Sequence, residues 1–443
     1  MLDIKTILII ASSGGGGLIQ AANAKEQELR LKYPHARIIR KDLLKDWVGK
    51  WGGKCAISLW NYAQKSGSVR ILKFLCIGNV IVDVCFAPYA FFNMLTTLFK
   101  DNVDLIIDTQ PLCTASMIKA LRFFHWKRSK KVLLEKVLVD LPTPKATHYF
   151  RSIRHLSNAD RPYLKITTIL PFLKKGETSQ AFWKKNCRLS EQQVSYEPFY
   201  VRQSFLHYHK KPRPLQPFRI KAAIRNQEEL QLIQAAVNRG SIQAHWTDTE
   251  VEFVIEPEDR VFTILLGSQP AYEGSLNYVR HFIQLAKEIT DRKSHLFIFC
   301  ANHHNHVSQR GFKRLIYPSR QPSLLQSVSH LVEKTADYPS SLSVIPLSFQ
   351  NDQVIAPIFH RSDVTCTRSG GHTLMELMCI APKHIWIHSE TKKKHNLTQK
   401  ELLEGIAGWE AANALYMQEI YGAKIVTPYS FIAHARSVML EPV

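Results

Sequence analysis

The apolar run Thr6-Ile7-Leu8-Ile9-Ile10 breaks into Ser12-Ser13 and four consecutive glycines, Gly14, Gly15, Gly16 and Gly17, then passes into a helical pattern over about 18–32. A buried strand, a glycine turn and a helix make a βα unit, and a chain that repeats the unit lays its strands side by side and parallel. The unit recurs. A second apolar strand over 103–108 ends in Thr109-Gln110-Pro111, and a strand region over 132–139 ends at Asp140. The second half alternates in the same way, with strands predicted over 261–266, 295–300, 342–345, 363–367 and 384–388. Helices are predicted over 275–290 and 323–334, from Thr373, and near 409–421 and 430–440. Several strands end in polar residues, at the edge where open α/β sheets bind ligands.

The stretch His207 to Phe218 is rich in proline and charge and reads as an extended linker. The pattern therefore predicts an α/β protein of two Rossmann-like doubly wound domains facing across a cleft. Residues 1–206 form the N-terminal domain, 207–218 the linker and 219–428 the C-terminal domain. A final helix in 429–443 is expected to pack back on the N-terminal domain. At 443 residues the chain is long enough for two full cores.

Hydrophobic residues make up 45% of the chain, which excludes disordered and collagen-like classes. The 58 Lys and Arg against 37 Asp and Glu leave a formal charge of +21, so an anionic partner is expected: nucleic acid, an acidic membrane surface or a phosphate-rich substrate. The eight cysteines show no Cys-x-x-Cys spacing and read as reduced core thiols rather than disulfides or zinc ligands. The apolar run at 7–11 loosely imitates a secretory signal, but the four glycines interrupt it, so a cytoplasmic protein is expected. The stretch 71–99 is broken by Lys73, Asn79, Asp83 and Asn93 and makes a poor membrane span. Its aromatic residues suit either a packed core or an interfacial segment.

Three groups of residues can carry chemistry. The Gly14–Gly17 turn lets backbone pass close to a ligand at a helix amino end, or is simply a tight turn. Ser369-Gly370-Gly371-His372-Thr373-Leu374-Met375-Glu376 again sets glycines between a strand and a helix. Its N–H groups can hold a diphosphate and Glu376 can accept from sugar hydroxyls, while Thr373 and Glu376 equally have the spacing of a capping box. Glu410 and Asn413 share a helix face that can read a polyhydroxylated ring or face solvent. The loop run His303-His304-Asn305-His306 has no accompanying carboxylate or cysteine and is read as solvated, so no metal is assigned.

In their order these fragments resemble the GT-B glycosyltransferases. The resemblance is nearest to monogalactosyldiacylglycerol synthases, bacterial diacylglycerol glucosyltransferases and lipid-II-forming N-acetylglucosaminyltransferases. It covers most of the chain and is strongest over 344–426. The run from Asp363 to Glu376 is similar to the family's Ser/Ala-Gly-x-x-Thr-x-x-Glu region. Gly408-Trp409-Glu410-Ala411-Ala412-Asn413 and Tyr421-Gly422-Ala423-Lys424-Ile425-Val426 follow in the family's order. The chain departs from the family at Gly17, where a histidine is usual, and at Trp409, where glutamine is usual.

The resemblance implies a hexosyltransferase that moves a sugar from a nucleotide donor, a UDP-sugar, to a membrane lipid by metal-independent inverting displacement, without a cofactor. It implies that Ser369, Gly370, Gly371, His372 and Thr373 hold the diphosphate, with Arg368 neutralising charge. Glu376 would contact the ribose, and its removal is expected to weaken donor binding with little change in stability. Glu410 and Asn413 would bind the sugar, Gly267 and Ser268 would approach the donor, and Gly14 to Gly17 would face the acceptor. With Gly17 in the histidine's place, Asp140 is the first candidate for the base and His148 the second; Asp140 can equally be a cap or turn residue. Peripheral docking on an anionic membrane through 71–99 with Arg70, Lys73 and Lys100 is expected. A protein or nucleic-acid acceptor, or a non-catalytic nucleotide-sugar-binding module, stands as the alternative.

Overall fold

The computed structural model describes residues 4–49, 52–301, 322–393 and 396–441; the His303–His306 run lies outside them. Two six-stranded parallel sheets organise the chain. The first comprises β1 (Thr6–Ala11), β2 (Arg37–Asp42), β3 (Leu105–Asp108), β4 (Leu133–Val137), β5 (Leu164–Thr168) and β6 (Val194–Tyr196), in the order β2-β1-β3-β4-β5-β6. Every residue of β1 is buried, as a continuous apolar run covered by helices on both faces requires. Its helices include α1 (Gly16–Lys32), α2 (Gly52–Lys65), α3 (Val69–Asp101) and α4 (Thr114–Arg128).

After the linker an antiparallel sheet forms from β7 (Phe218–Ala223), β8 (Gln243–Trp246) and β9 (Glu250–Ile255), with β9 central. This sheet was not read from the sequence. The second parallel sheet comprises β10 (Arg260–Leu265), β11 (Ser294–Phe299), β12 (Leu342–Leu347), β13 (Val364–Thr367), β14 (His384–His388) and β15 (Lys424–Val426). Its order, β12-β11-β10-β13-β14-β15, is the doubly wound Rossmann order. The fold is thus GT-B, two Rossmann-like halves with facing strand ends.

The halves share a core. Ile7, Ile9, Leu29 and Val137 from the first pack in one apolar cluster with Leu374, Met375, Leu377 and Ile387 from the second. The C-terminal helix, Pro428–Leu440, does not pack back on the N-terminal half as expected. Its Phe431 ring sits against Phe262, Tyr278 and Trp386, deep in the C-terminal core. Five cysteines are buried as read, whereas Cys55 and Cys85 are exposed.

The 71–99 stretch becomes most of α3, a 33-residue helix that is neither wholly core nor wholly surface. Ala90, Met94 and Leu98 are buried in the N-terminal core, while Phe74, Ile81 and Phe92 are 71%, 70% and 65% exposed. By length and composition alone the span Ile81–Asp101 could cross a membrane.

Candidate functional site

Strand order reverses between β1 and β3 in the first sheet and between β10 and β13 in the second, so the loops leaving these strands border the two ligand-binding crevices. Those loops touch. A Cβ built on Gly16 would stand 2.6 Å from Ser268 Oγ, and one on Gly17 would stand 3.5 Å from Val139 and 3.6 Å from His372. A Cβ on Gly371 would lie 2.3 Å from the Val139 carbonyl oxygen, so only glycine permits this approach. Gly267 has φ +80, the left-handed conformation glycine favours. The sequence-derived motifs at 14–17, 139–140, 267–268 and 370–372 therefore meet at one place.

Two helix amino ends open there without a side-chain cap. Helix α1 begins behind Gly15, and the helix Gly371–Ile380 behind Gly370. The capping-box alternative for Thr373 and Glu376 is not realised, because the helix starts two residues before Thr373. Helix amino ends present N–H groups suited to an anion, and at Gly371 the Asp140 carboxylate takes one of them.

Asp140 bridges the halves. Its Oδ1 accepts from the Gly371 N–H at 3.1 Å and from Asn413 Nδ2 at 3.1 Å, and its Oδ2 lies 2.9 Å from His148 Nε2. With three partners on its oxygens Asp140 is better placed to orient and stabilise an imidazolium than to accept a proton itself. His148 in turn lies against the Trp409 ring at 5.5 Å between centroids. Asn413 is fully buried and also donates to the Ser369 carbonyl at 2.9 Å.

Around the same loop Ser369 Oγ, His372 Nδ1 and Asn413 Oδ1 are buried without a hydrogen-bond partner among the described residues. Buried polar atoms are normally paired, so such a cluster marks a place prepared for something polar.

Glu376 is buried, and Arg202 Nε donates to its Oε1 at 2.7 Å while His372 Nε2 faces the same oxygen at 3.1 Å. Burial raises its pKa, but Arg202 and His372 overcome this and hold the carboxyl at about 2. Arg202, near the end of the N-terminal half, was not anticipated.

A carboxylate not anticipated from the sequence, Glu390, follows β14 by two residues. It lies 2.5 Å from Arg368 and 3.1 Å from His388; burial opposes its charge, yet its interactions with His388 and Arg368 keep it well below the usual range. A polar residue just past a strand end is the same signal that marked Asp140. Arg368, expected to face a leaving group, spends its guanidinium on Glu390, on the Gln64 carbonyl at 2.8 Å and on the Gln269 carbonyl at 3.3 Å.

Glu410 lies one turn before Asn413 on the helix Gly408–Tyr421. Burial pushes it up to about 7; Arg368 opposes the rise, while Asp140 and Glu390 add to it. A carboxyl group there can accept a hydrogen bond from a hydroxyl when ionised and donate one when protonated.

No protein-family model and no curated protein matches the chain. Among solved structures it is similar to MurG of Acinetobacter baumannii at 12% identity, covering 99% of this chain and 91% of that one, with a TM-score of 0.41. It is similar to the glycosyltransferase SsfS6 of Streptomyces at 8% identity, 99% and 91% coverage and TM-score 0.46. It is also similar to UDP-GlcNAc 2-epimerase from Neisseria meningitidis bound to UDP-GlcNAc, at 10% identity, 99% and 98% coverage and TM-score 0.41.

Proposed function

We propose that the chain is a glycosyltransferase that takes a sugar from a nucleoside-diphosphate donor, UDP-linked in the simplest case, and passes it to a membrane lipid with inversion. The reading is carried by the meeting of Asp140–His148 with the Gly370–Gly371 helix start, where Asp140 Oδ1 accepts from the Gly371 N–H and Ser369 Oγ, His372 Nδ1 and Asn413 Oδ1 are buried without a partner among the described residues. The Asp140–His148 pair of the first half and the Gly371 helix start of the second are joined by one hydrogen bond, which supports reading them as parts of one site.

On this reading the acceptor hydroxyl gives its proton to His148 as its oxygen forms the bond to the anomeric carbon. The bond from that carbon to the diphosphate oxygen breaks on the opposite face. Asp140 fixes the imidazole and stabilises its charge. The departing diphosphate gains negative charge at the residues 369–373, where helix N–H groups meet it without need of a divalent ion. Glu376 takes the ribose, its direction set by Arg202 and His372, and Glu410 and Asn413 take the sugar.

A lipid acceptor is supported by the first half. Residues 1–206 hold 32 Lys and Arg against 15 Asp and Glu, so +17 of the +21 lies there. The exposed residues Phe74, Ile81, Val84, Tyr89, Phe92 and Phe99 run along one side of α3, and Phe123 and Trp126 of α4 are exposed too. Lys127 sits 4.0 Å from the Trp126 ring centre and Arg128 5.5 Å from that of Phe99. An apolar stripe fringed by cations fits an anionic lipid surface, with the helix lying in the interface.

The test is release of nucleoside diphosphate from UDP-, dTDP- and GDP-sugars by the purified chain, with diacylglycerol in phosphatidylglycerol vesicles as acceptor. Turnover that rises with the lipid supports the reading. Turnover indifferent to lipid redirects the acceptor to protein or nucleic acid, and donor binding without any turnover leaves a binding module.

A further inference from the structure

The proposed sugar face of the C-terminal half is covered. Helix α2 lies across it: Trp60 stacks on Trp409 with centroids 6.0 Å apart and planes 28° apart, and the Gln64 carbonyl takes a hydrogen bond from Arg368 at 2.8 Å. At the turn into α3, a Cβ built on Gly67 would stand 2.7 Å from Glu390 Oε2. Ala63, Leu72 and Ala407 close the seam as a small apolar cluster separate from the main cores. The cavity left between Trp60, Gln64, Arg368, Glu390, Trp409 and Glu410 is about 20 Å³, room for one water and not for a hexose.

The cover is lightly held. Of the fourteen residues of α2 only Gly53, Ala63 and Lys65 are buried, and the indole N–H of Trp60 is buried with no partner among the described residues. Elements with few buried contacts open at the least free energy. Glycines in the left-handed conformation stand on either side of the helix, Gly49 at φ +88 and Gly67 at φ +61. Only three residues separate α2 from α3, the helix whose outer side carries the apolar stripe.

We propose that α2 is a lid over the donor face and that seating α3 on an anionic lipid surface lifts it. That the covered face receives a nucleotide sugar rests on the function proposed above; the movement of α2 does not. Lipid draws the exposed side of α3 and its fringe of cations to the interface, the 66–68 turn transmits the pull, and the Trp60–Trp409 stack parts. Donor is then admitted where acceptor is present, and its hydrolysis in solution is suppressed.

Hydrogen–deuterium exchange on the full chain tests this, with phosphatidylglycerol–phosphatidylcholine vesicles and with phosphatidylcholine vesicles alone. On the anionic vesicles, peptides spanning 55–66 and 405–411 exchange at least tenfold faster, while the strands of both sheets are unchanged. Trp60→Ala gives the faster exchange without vesicles. Gly67→Ala, which wedges a methyl group against Glu390, does the same, so the outcome does not hang on one variant folding. Vesicle-bound protein with unchanged or slower exchange in both peptides overturns the lid, and so does a chain that ignores anionic vesicles. Donor turnover is measured in parallel. Faster exchange without turnover on any donor leaves the lid standing and sinks the transferase reading; turnover with a fixed α2 does the reverse.

Discussion

His148 Nε2 lies 2.9 Å from Asp140 Oδ2, and the other oxygen of the same carboxylate accepts from the Gly371 N–H and Asn413. On the proposed function, a carboxylate engaged on both oxygens supports a base instead of being one, which puts His148 ahead of Asp140 for that role. His148→Ala is expected to lower transfer by about a hundred- to ten-thousandfold with donor affinity nearly intact. Asp140→Asn, which leaves the imidazole in place but removes its anionic partner, should lower it less. Steady-state rates together with donor titration by calorimetry decide the order; a larger loss in Asp140→Asn than in His148→Ala returns the base to Asp140.

Glu376 carries a different expectation now that Arg202 and His372 are seen on it. Removing the carboxylate leaves Arg202, 5% exposed, without its closest counter-charge, so Glu376→Ala should destabilise the fold by about 3–5 kcal/mol in addition to weakening donor binding. The pH dependence has a definite sign. Its carboxyl falls from 4.5 to about 2 on folding, so its stabilisation is fully present above about 4.5 and is lost as the pH falls through 2. The size is on the order of 3 kcal/mol. Urea denaturation of the wild type and Glu376→Gln across acid pH checks it: the difference between them should shrink toward pH 2.

Parallel strands such as β1 and β10 were legible because burial on both faces writes them as unbroken apolar runs, whereas β2, β5 and β6 were not read. Strand β2, an edge strand reading Arg-Ile-Ile-Arg-Lys-Asp, has no fully buried residue and gave no such run. The β7–β9 sheet was missed for a related reason. In β7 Ile220 and Ala222 are buried and Phe218 is partly so, with exposed Arg219 and Lys221 between them, and its partner β9 pairs from about thirty residues away. The site divides in the same manner. Asp140, His148 and the glycine turns stood out as strand-end residues, whereas Arg202 reaches Glu376 across 174 residues and Trp60 meets Trp409 only in the folded chain. No local pattern announces such contacts.

Glu410 should make donor binding and stability move in opposite directions with pH. Its carboxyl rises from 4.5 to about 7 on folding, so the stability linked to it is fully present below about 4.5 and is lost as the pH rises through 7. If the ionised form accepts the sugar hydroxyls, donor affinity climbs over the same interval. Glu410→Gln is therefore expected to melt higher than the wild type at pH 8 but not at pH 4.5, while losing roughly tenfold or more in donor affinity. Scanning calorimetry at the two pH values, with donor titration at each, separates the two effects; a variant that melts lower at pH 8 rules the assignment out.

The exposed side of α3 gives the last expectation. An anionic surface gains both from burying apolar side chains and from the cations beside them, and the two contributions respond to different perturbations. Phe92 and Ile81 protrude into solvent, so Ile81→Ser with Phe92→Ser should leave the melting temperature within a degree or two. Removing their burial in lipid costs roughly 1.5–3 kcal/mol each, at least tenfold in vesicle affinity for the pair. Replacing Lys127 and Arg128 by Gln should instead flatten the salt dependence, because each cation near an anionic surface contributes about 1 kcal/mol that salt screens. Flotation with phosphatidylglycerol vesicles at low and high salt reads both. If the serine variant binds as the wild type does, α3 is not the docking element. If binding to neutral vesicles equals that to anionic ones, the concentration of charge in residues 1–206 serves some other partner, and RNA becomes the ligand to titrate next.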